Sequence, residues 1–153
     1  MEEYPFFPLF VDLSKKKIVV VGAGKIAKRR IEMLSPFTET VKVIAPEIHP
    51  GLLPLEEAGK LHILRKNYES ADLDGAELVL SATNSAEVND AVWHDCRRMQ
   101  IPVNVSSDRR KSDFYFPGIA QRDNVVIGVT ASGKNHAQAK ELTEELRKFL
   151  ESY

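Results

Sequence analysis

Three features of the sequence predict an α/β fold built on a parallel sheet. Strand-like segments rich in apolar residues recur along the first two thirds of the chain, at Ile18–Val21, Val41–Ala45, Leu61–Leu64, Leu78–Ala82 and Ile101–Val105. Ile18–Val21 is a continuous β-branched run, which suits a strand buried on both faces. Helical patterns fall between these segments, as right-handed βαβ crossovers require. A glycine-rich turn, Gly22-Ala23-Gly24, joins the first strand to the first helix. Together these place the chain in the Rossmann-type doubly wound class, followed by a small strand–strand–helix unit.

Lys15-Lys16-Lys17 reads as a solvated turn ahead of the first strand. After the glycines, Ile26, Ala27, Arg30, Ile31 and Leu34 recur at helical spacing, and Pro36 stops the helix. Pro46 closes the second strand, and the polar turn Thr83-Asn84-Ser85 closes the fourth. The spacing predicts a helix over Ala86–Met99, with Val88, Ala91, Val92 and Cys96 on one side. The pattern changes near residue 106. Phe114-Tyr115-Phe116 reads as a short aromatic strand and Val125–Thr130 as its antiparallel partner across the turn Gln121–Asn124. Ala137–Leu150 predicts an amphipathic helix with Ala139, Leu142, Leu146 and Leu150 along one face. Residues 1–112 are therefore expected to form the nucleotide-type domain and residues 113–153 a hairpin-and-helix unit. A lone hairpin is marginally stable, so a second copy of the chain is its simplest partner.

The chain has 153 residues, enough for one ordinary domain with a small appendage. Hydrophobic residues at 43% and charged residues at 28% exclude a disordered or fibrous chain. The net charge of -1 argues against nucleic acid as a partner, so an acidic ligand must be met by a local cluster. Cys96 is the one cysteine. It has no intramolecular disulfide partner and reads as a small apolar helix residue in a reducing cytoplasm. The N-terminal run Met1-Glu2-Glu3-Tyr4-Pro5 is acidic and carries no signal-peptide pattern. No apolar run approaches the ~18 residues that span a bilayer. A cytoplasmic location and no membrane partner are the expectation.

The turn Gly22-Ala23-Gly24-Lys25-Ile26-Ala27 has the form G-x-G-x-x-A between a strand and a helix. In that setting Gly22 allows the tight turn, Gly24 lets a pyrophosphate approach the backbone, and Ala27 keeps helix and sheet close. The helix N-terminus offers N–H groups and the positive end of its dipole to phosphates. The expected ligand is a dinucleotide. Glu47, just past the second strand, is the candidate acceptor for the adenosine ribose hydroxyls. No arginine follows it to hold a 2′-phosphate, which favours NAD over NADP unless Lys42 or Arg65 reaches the site. Thr83 and Asn84 end the fourth strand at the carboxyl edge, where dinucleotides lie in this class. His49, His62 and His94 are scattered and form no metal constellation.

Several segments in order resemble a known family. They are Phe7-Pro8-Leu9-Phe10-Val11-Asp12-Leu13, Lys17 through Arg29, Val43-Ile44-Ala45-Pro46-Glu47, Arg65-Lys66-Asn67-Tyr68, Leu73 through Asn84 with Asn89, Val103-Asn104-Val105 and Phe114-Tyr115-Phe116-Pro117. The chain resembles precorrin-2 dehydrogenase, the NAD-dependent module of sirohaem synthesis that also forms the N-terminal part of multifunctional sirohaem synthases. The resemblance implies oxidation of precorrin-2 to sirohydrochlorin with NAD as hydride acceptor. It also implies a homodimer joined through the hairpin and helix, and in some members iron insertion, for which His136 is the nearest histidine.

The sequence departs from the family in three places. The family's motif after the fifth strand is Asn-Val-x-Asp, whose aspartate is the general base. Here the run is Asn104-Val105-Ser106-Ser107-Asp108, which aligns Ser107 with that position without a gap. Asp108 takes the role if the loop bulges by one residue, and Asp113 is second choice. The family's Ser-Gly-Gly-x-Ser-Pro turn stands here, recognisable but eroded, as Thr130-Ala131-Ser132-Gly133-Lys134-Asn135-His136. The helical domain that closes over the tetrapyrrole in typical members would follow Tyr153. Asn104, Ser107, Arg109, Arg110 and Lys111 are the expected contacts to the polycarboxylate substrate, with Arg122 and Lys134 able to join them. The competing expectation is a catalytically degenerate NAD-binding or redox-sensing module, or one that needs a partner for the helical domain.

Overall fold

In the computed structural model, which describes residues 4–153, the apolar runs pair into one parallel sheet. Its strands are β1 (Ile18–Val21), β2 (Val41–Ile44), β3 (Leu61–Leu64), β4 (Leu78–Ser81) and β5 (Val103–Val105). They lie in the order β3-β2-β1-β4-β5. The winding reverses between β1 and β4, and doubly wound sheets bind ligands at that switch point. β1 is central, and all its residues are buried.

The crossovers are α1 (Lys25–Leu34), the short α2 (Leu53–Glu57) and α3 (Ala86–Met99). α1 buries Ala27, Ile31 and Leu34, a stripe with helical period. α3 has the bounds that its sequence predicts. Ser85 caps its start by accepting from Val88 N at 3.3 Å, and Gln100 ends it in the left-handed region at φ 57. Val92 and Cys96 pack into a core cluster with Val19, Val21, Val79, Val103 and Val105. Burial pushes the Cys96 thiol up to about 12, so it stays protonated and acts as an apolar side chain. α2 had no sequence signal because five residues are too few to show a period. β5 starts at Val103 rather than Ile101. Pro102 has no N–H for the ladder and contributes only its carbonyl, which accepts from Val79 N at 3.0 Å.

These elements belong to a compact unit, Asp12–Tyr115. Phe116–Tyr153 and the N-terminal segment through Val11 form the other. It holds an antiparallel hairpin, β6 (Gly118–Arg122) and β7 (Val125–Val129), and α4 (His136–Ser152). The aromatic strand expected at Phe114–Phe116 does not form, and the hairpin starts at Gly118 instead. Asn104 Nδ2 donates to the Phe114 carbonyl at 2.9 Å, and Pro117 lacks a ladder N–H. Asp123, at φ 52, makes the two-residue turn. Gly118 lies where α4 crosses the hairpin, since a Cβ there would stand 2.1 Å from Thr143 Oγ1.

The buried face of α4 differs from the expected one. Thr143 is buried and Leu142 is half exposed. The Thr143 hydroxyl donates to the Ala139 carbonyl at 2.6 Å, so the polar residue is buried with its bond made. Arg122 donates to the carbonyls of Leu150 and Glu151, at the C-terminal end of α4. It is a helix-end partner here rather than the substrate cation of the sequence expectation. Within this unit Phe6 N donates to Ser132 Oγ at 3.0 Å. Among the described residues no helix is long and apolar enough to cross a membrane.

Candidate functional site

The glycine turn occupies the switch point. Gly22 has φ +108, and a Cβ there would stand 2.3 Å from the Ala82 carbonyl oxygen. The turn after β1 and the turn after β4 are thus in backbone contact, which only glycine permits. Gly24 differs: its φ is −85 and a Cβ there would meet nothing within 4 Å. Gly24 is the N-cap of α1, and no side chain caps the helix. Gly24, Lys25 and Ile26 are exposed, whereas Ala23 and Ala27 are buried against the sheet. Open space over a glycine at an uncapped helix start fits a pyrophosphate, which would receive backbone N–H groups and the dipole's positive end. Exposed Ile26 adds apolar surface beside that seat.

The segment after β2 is tied to this turn. Gly22 N donates to the Ile44 carbonyl at 2.8 Å, and His49 N donates to the Ala23 carbonyl at 2.8 Å. Glu47 lies between those anchors and is exposed. The two alternative cations are engaged elsewhere. Lys42 sits near the start of β2, remote from the carboxyl edge, and its Nζ donates to the Asp72 carbonyl at 2.8 Å. Arg65 binds both carboxylate oxygens of Glu56, at 3.0 and 2.8 Å.

At the end of β4, Thr83 and Asn84 form the expected polar turn. Thr83 Oγ1 accepts from Ser85 N at 3.1 Å, and Asn84 is exposed. The loop after β5 runs beside it, because Ser106 N donates to the Ser81 carbonyl at 2.9 Å. The two loops share a residue singled out only within the family resemblance: Asn89, on α3, bonds to both Thr83 and Ser107. Its signal was available, since Asn89 is a polar residue on the helical stripe that also carries Val92 and Cys96.

Asp108 caps the turn of helix at Arg109–Lys111 by accepting from Arg110 N at 2.9 Å. The Arg110 guanidinium also donates to both its oxygens, at 3.2 Å each. These bonds hold the Asp108 carboxyl below the usual carboxylate range, so it is ionised at neutral pH. Ser107 and Arg109 are exposed. Lys111 is anchored on α3 by an ion pair with Asp90, and its ammonium lies 5.3 Å from the Trp93 ring centre. Asp113 is placed away from the carboxyl edge. Its carboxylate accepts from Val103 N at 2.9 Å and from Arg97, where β5 begins. Asn104 is buried in β5, and its Oδ1 has no hydrogen-bond partner among the described residues.

A family profile described as "Putative NAD(P)-binding" matches residues 9–118. Over 147 residues the chain is 37% identical to the "Probable multifunctional siroheme biosynthesis protein HemA" of Ruminiclostridium josui, covering 95% of the chain and 28% of that protein. It is 34% identical over 145 residues to "Siroheme synthase 1" of Cronobacter sakazakii, covering 95% of the chain and 31% of the relative. The chain thus spans less than a third of these curated relatives. Among solved structures, "SirC, precorrin-2 dehydrogenase" superposes with a TM-score of 0.77 at 25% identity, over 94% of this chain and 71% of that one.

Gly24→Ala separates the fold from the ligand seat. Its φ suits alanine and the space is open, so stability should change by no more than ~1 kcal/mol. The added methyl would meet the pyrophosphate, and dinucleotide affinity should fall about tenfold or more. Calorimetric titration beside thermal melting of the same variant checks both.

Proposed function

The chain belongs to this NAD(P)-binding family, and on that premise we propose that it oxidises precorrin-2 to sirohydrochlorin, with NAD taking the hydride. The observation that carries the proposal is the open Gly24 seat at the uncapped start of α1, beside the paired loops that follow β4 and β5. When bound there, NAD supplies the hydride acceptor, and the protein orients the reactants. The backbone from Gly22 to Ala27 holds the pyrophosphate. Thr83 and Asn84 face the cofactor from the end of β4, and Glu47 accepts the ribose hydroxyls.

The engagement of Lys42 and Arg65 supports NAD over NADP. Replacing Glu47 by Gln is expected to shift the ratio of NAD to NADP affinity about tenfold toward NADP, because it removes a charge that repels a 2′-phosphate and a strong acceptor for two hydroxyls. Paired titrations with the two dinucleotides check it, and an unchanged ratio assigns the preference elsewhere.

Asp108 is the proton acceptor in this proposal: it is ionised at neutral pH and lies on the loop beside the cofactor turn. Ser107 and the Arg109-Arg110-Lys111 run bind the substrate's carboxylates and polar edge, with Lys111 held in place by Asp90 and Trp93, whereas Asn104, expected to join them, is buried and holds the Phe114 carbonyl instead. Residues 113–153 serve as the dimerisation unit. Exposed Phe7, Phe10, Leu142 and Phe149 supply apolar surface for a homodimer in the cytoplasm. The deciding experiment supplies precorrin-2 and NAD and follows NADH absorbance. Turnover is the expected result, and dinucleotide binding without turnover at saturating precorrin-2 overturns the proposal.

One observation favours a second reading. The Asp108 carboxylate is engaged by Arg110, and Ser107 stands at the aligned base position. A redox-sensing NAD-binding module, or one completed by a partner's helical domain, would bind NAD and release no NADH alone. Adding the partner separates these two cases.

A further inference from the structure

Asn89 is almost wholly buried, at 2% exposure, and every polar atom of its side chain is bonded. Its Oδ1 accepts from Ser81 Oγ at 2.8 Å, Thr83 N at 3.2 Å and Thr83 Oγ1 at 2.8 Å. Its Nδ2 donates to the Thr83 carbonyl at 3.2 Å and to Ser107 Oγ at 3.2 Å. Ser81 ends β4, Thr83 is the turn after it, and Ser107 lies on the loop after β5. One amide on α3 therefore clamps both loops. A cap for α3 alone would not need it, because Ser85 already serves there. Packing alone would be met by an apolar residue, as at Val92 and Cys96 on the same face.

We propose that Asn89 is a positioning residue that fixes the loop carrying Ser107 and Asp108 relative to the cofactor turn at Thr83. The inference deepens the proposed dehydrogenase reading and rests on it for its catalytic meaning. Its physical basis is the fixed geometry hydride and proton transfer need, which a flexible loop cannot hold. Asn89 touches neither substrate nor cofactor in this scheme. It acts through Thr83 and Ser107.

Two variants test it. Asn89→Ala removes the amide and with it both donated bonds. Ser107→Ala removes the far partner, and its exposed side chain makes the substitution safe for folding; because Ser107 also faces the substrate, this variant is read in the ligand-free protein. Hydrogen exchange of the ligand-free protein reads the clamp directly. In either variant the amides of residues 106–111 should exchange about tenfold faster, the worth of one lost hydrogen bond, while those of β1 and β4 keep their rates. Unchanged exchange in the loop overturns the proposal, as does uniform acceleration across the sheet in Ser107→Ala. In turnover assays of Asn89→Ala kcat should fall with little change in dinucleotide affinity, and in loop exchange the double variant should lose no more than the worse single one. Additive losses overturn the coupling. If the wild-type chain binds NAD without oxidising precorrin-2, the functional reading fails, and the exchange experiment still decides on the clamp.

Discussion

Gly22→Ala is expected to destabilise the sheet unit by ~4 kcal/mol or more and to abolish dinucleotide binding. Two costs add. At φ +108 any side chain is strained, and the new Cβ would stand 2.3 Å from the Ala82 oxygen and 2.7 Å from its carbonyl carbon. Those are backbone atoms in a turn held on both sides. Ala82 N donates to the Val21 carbonyl at 2.8 Å, and Ser106 N donates to the Ser81 carbonyl at 2.9 Å. Relief therefore requires parting β1 from β4 at the point where the ligand seat forms. Urea unfolding and dinucleotide titration measure both effects, with Gly24→Ala as the control that keeps the fold. A loss below ~1 kcal/mol with unchanged affinity would mean that the turn relaxes freely.

Asp108→Asn is expected to lower turnover by about 10²- to 10⁴-fold, the usual worth of a general base. Stability should change little, because asparagine caps as well as aspartate does and the Arg110 pair is solvent-accessible. The substitution therefore separates two roles that Asp108→Ala would remove together. NADH formation at saturating precorrin-2 and a thermal melt are the measurements. Retained turnover would place the base elsewhere. The pH profile carries a matching sign. A base must be deprotonated to act, and Arg110 holds this carboxyl below the ordinary carboxylate range. Activity should therefore persist on acidification through neutral pH and fall only below that range. A loss near pH 6 to 7 would point to a histidine-like group instead.

The strand–helix alternation, the glycine turn and both ends of α3 were legible in the sequence because each rests on a local signal: an apolar run, a period, a cap or a positive φ. Positions on a shared edge were also legible. Topology alone puts Gly22, Thr83 and Ser107 at the carboxyl ends of their strands. What those residues bond to was not, because the partners lie far apart in the chain. Asp113 looked available as a base until the fold brought Val103 and Arg97 to it. Arg122 looked like a substrate cation until the end of α4 arrived beside it. Thr143 displaced Leu142 from the buried face because its hydroxyl found the Ala139 carbonyl. Asn89 acquires its role only when two loops reach it. The sequence by itself determined the order of elements and the glycine turn at the start of α1, through backbone preferences carried by single residues. Only the tertiary structure decided which charged and polar side chains are already engaged, since a buried polar group is stable only with its partner and that partner is set by packing.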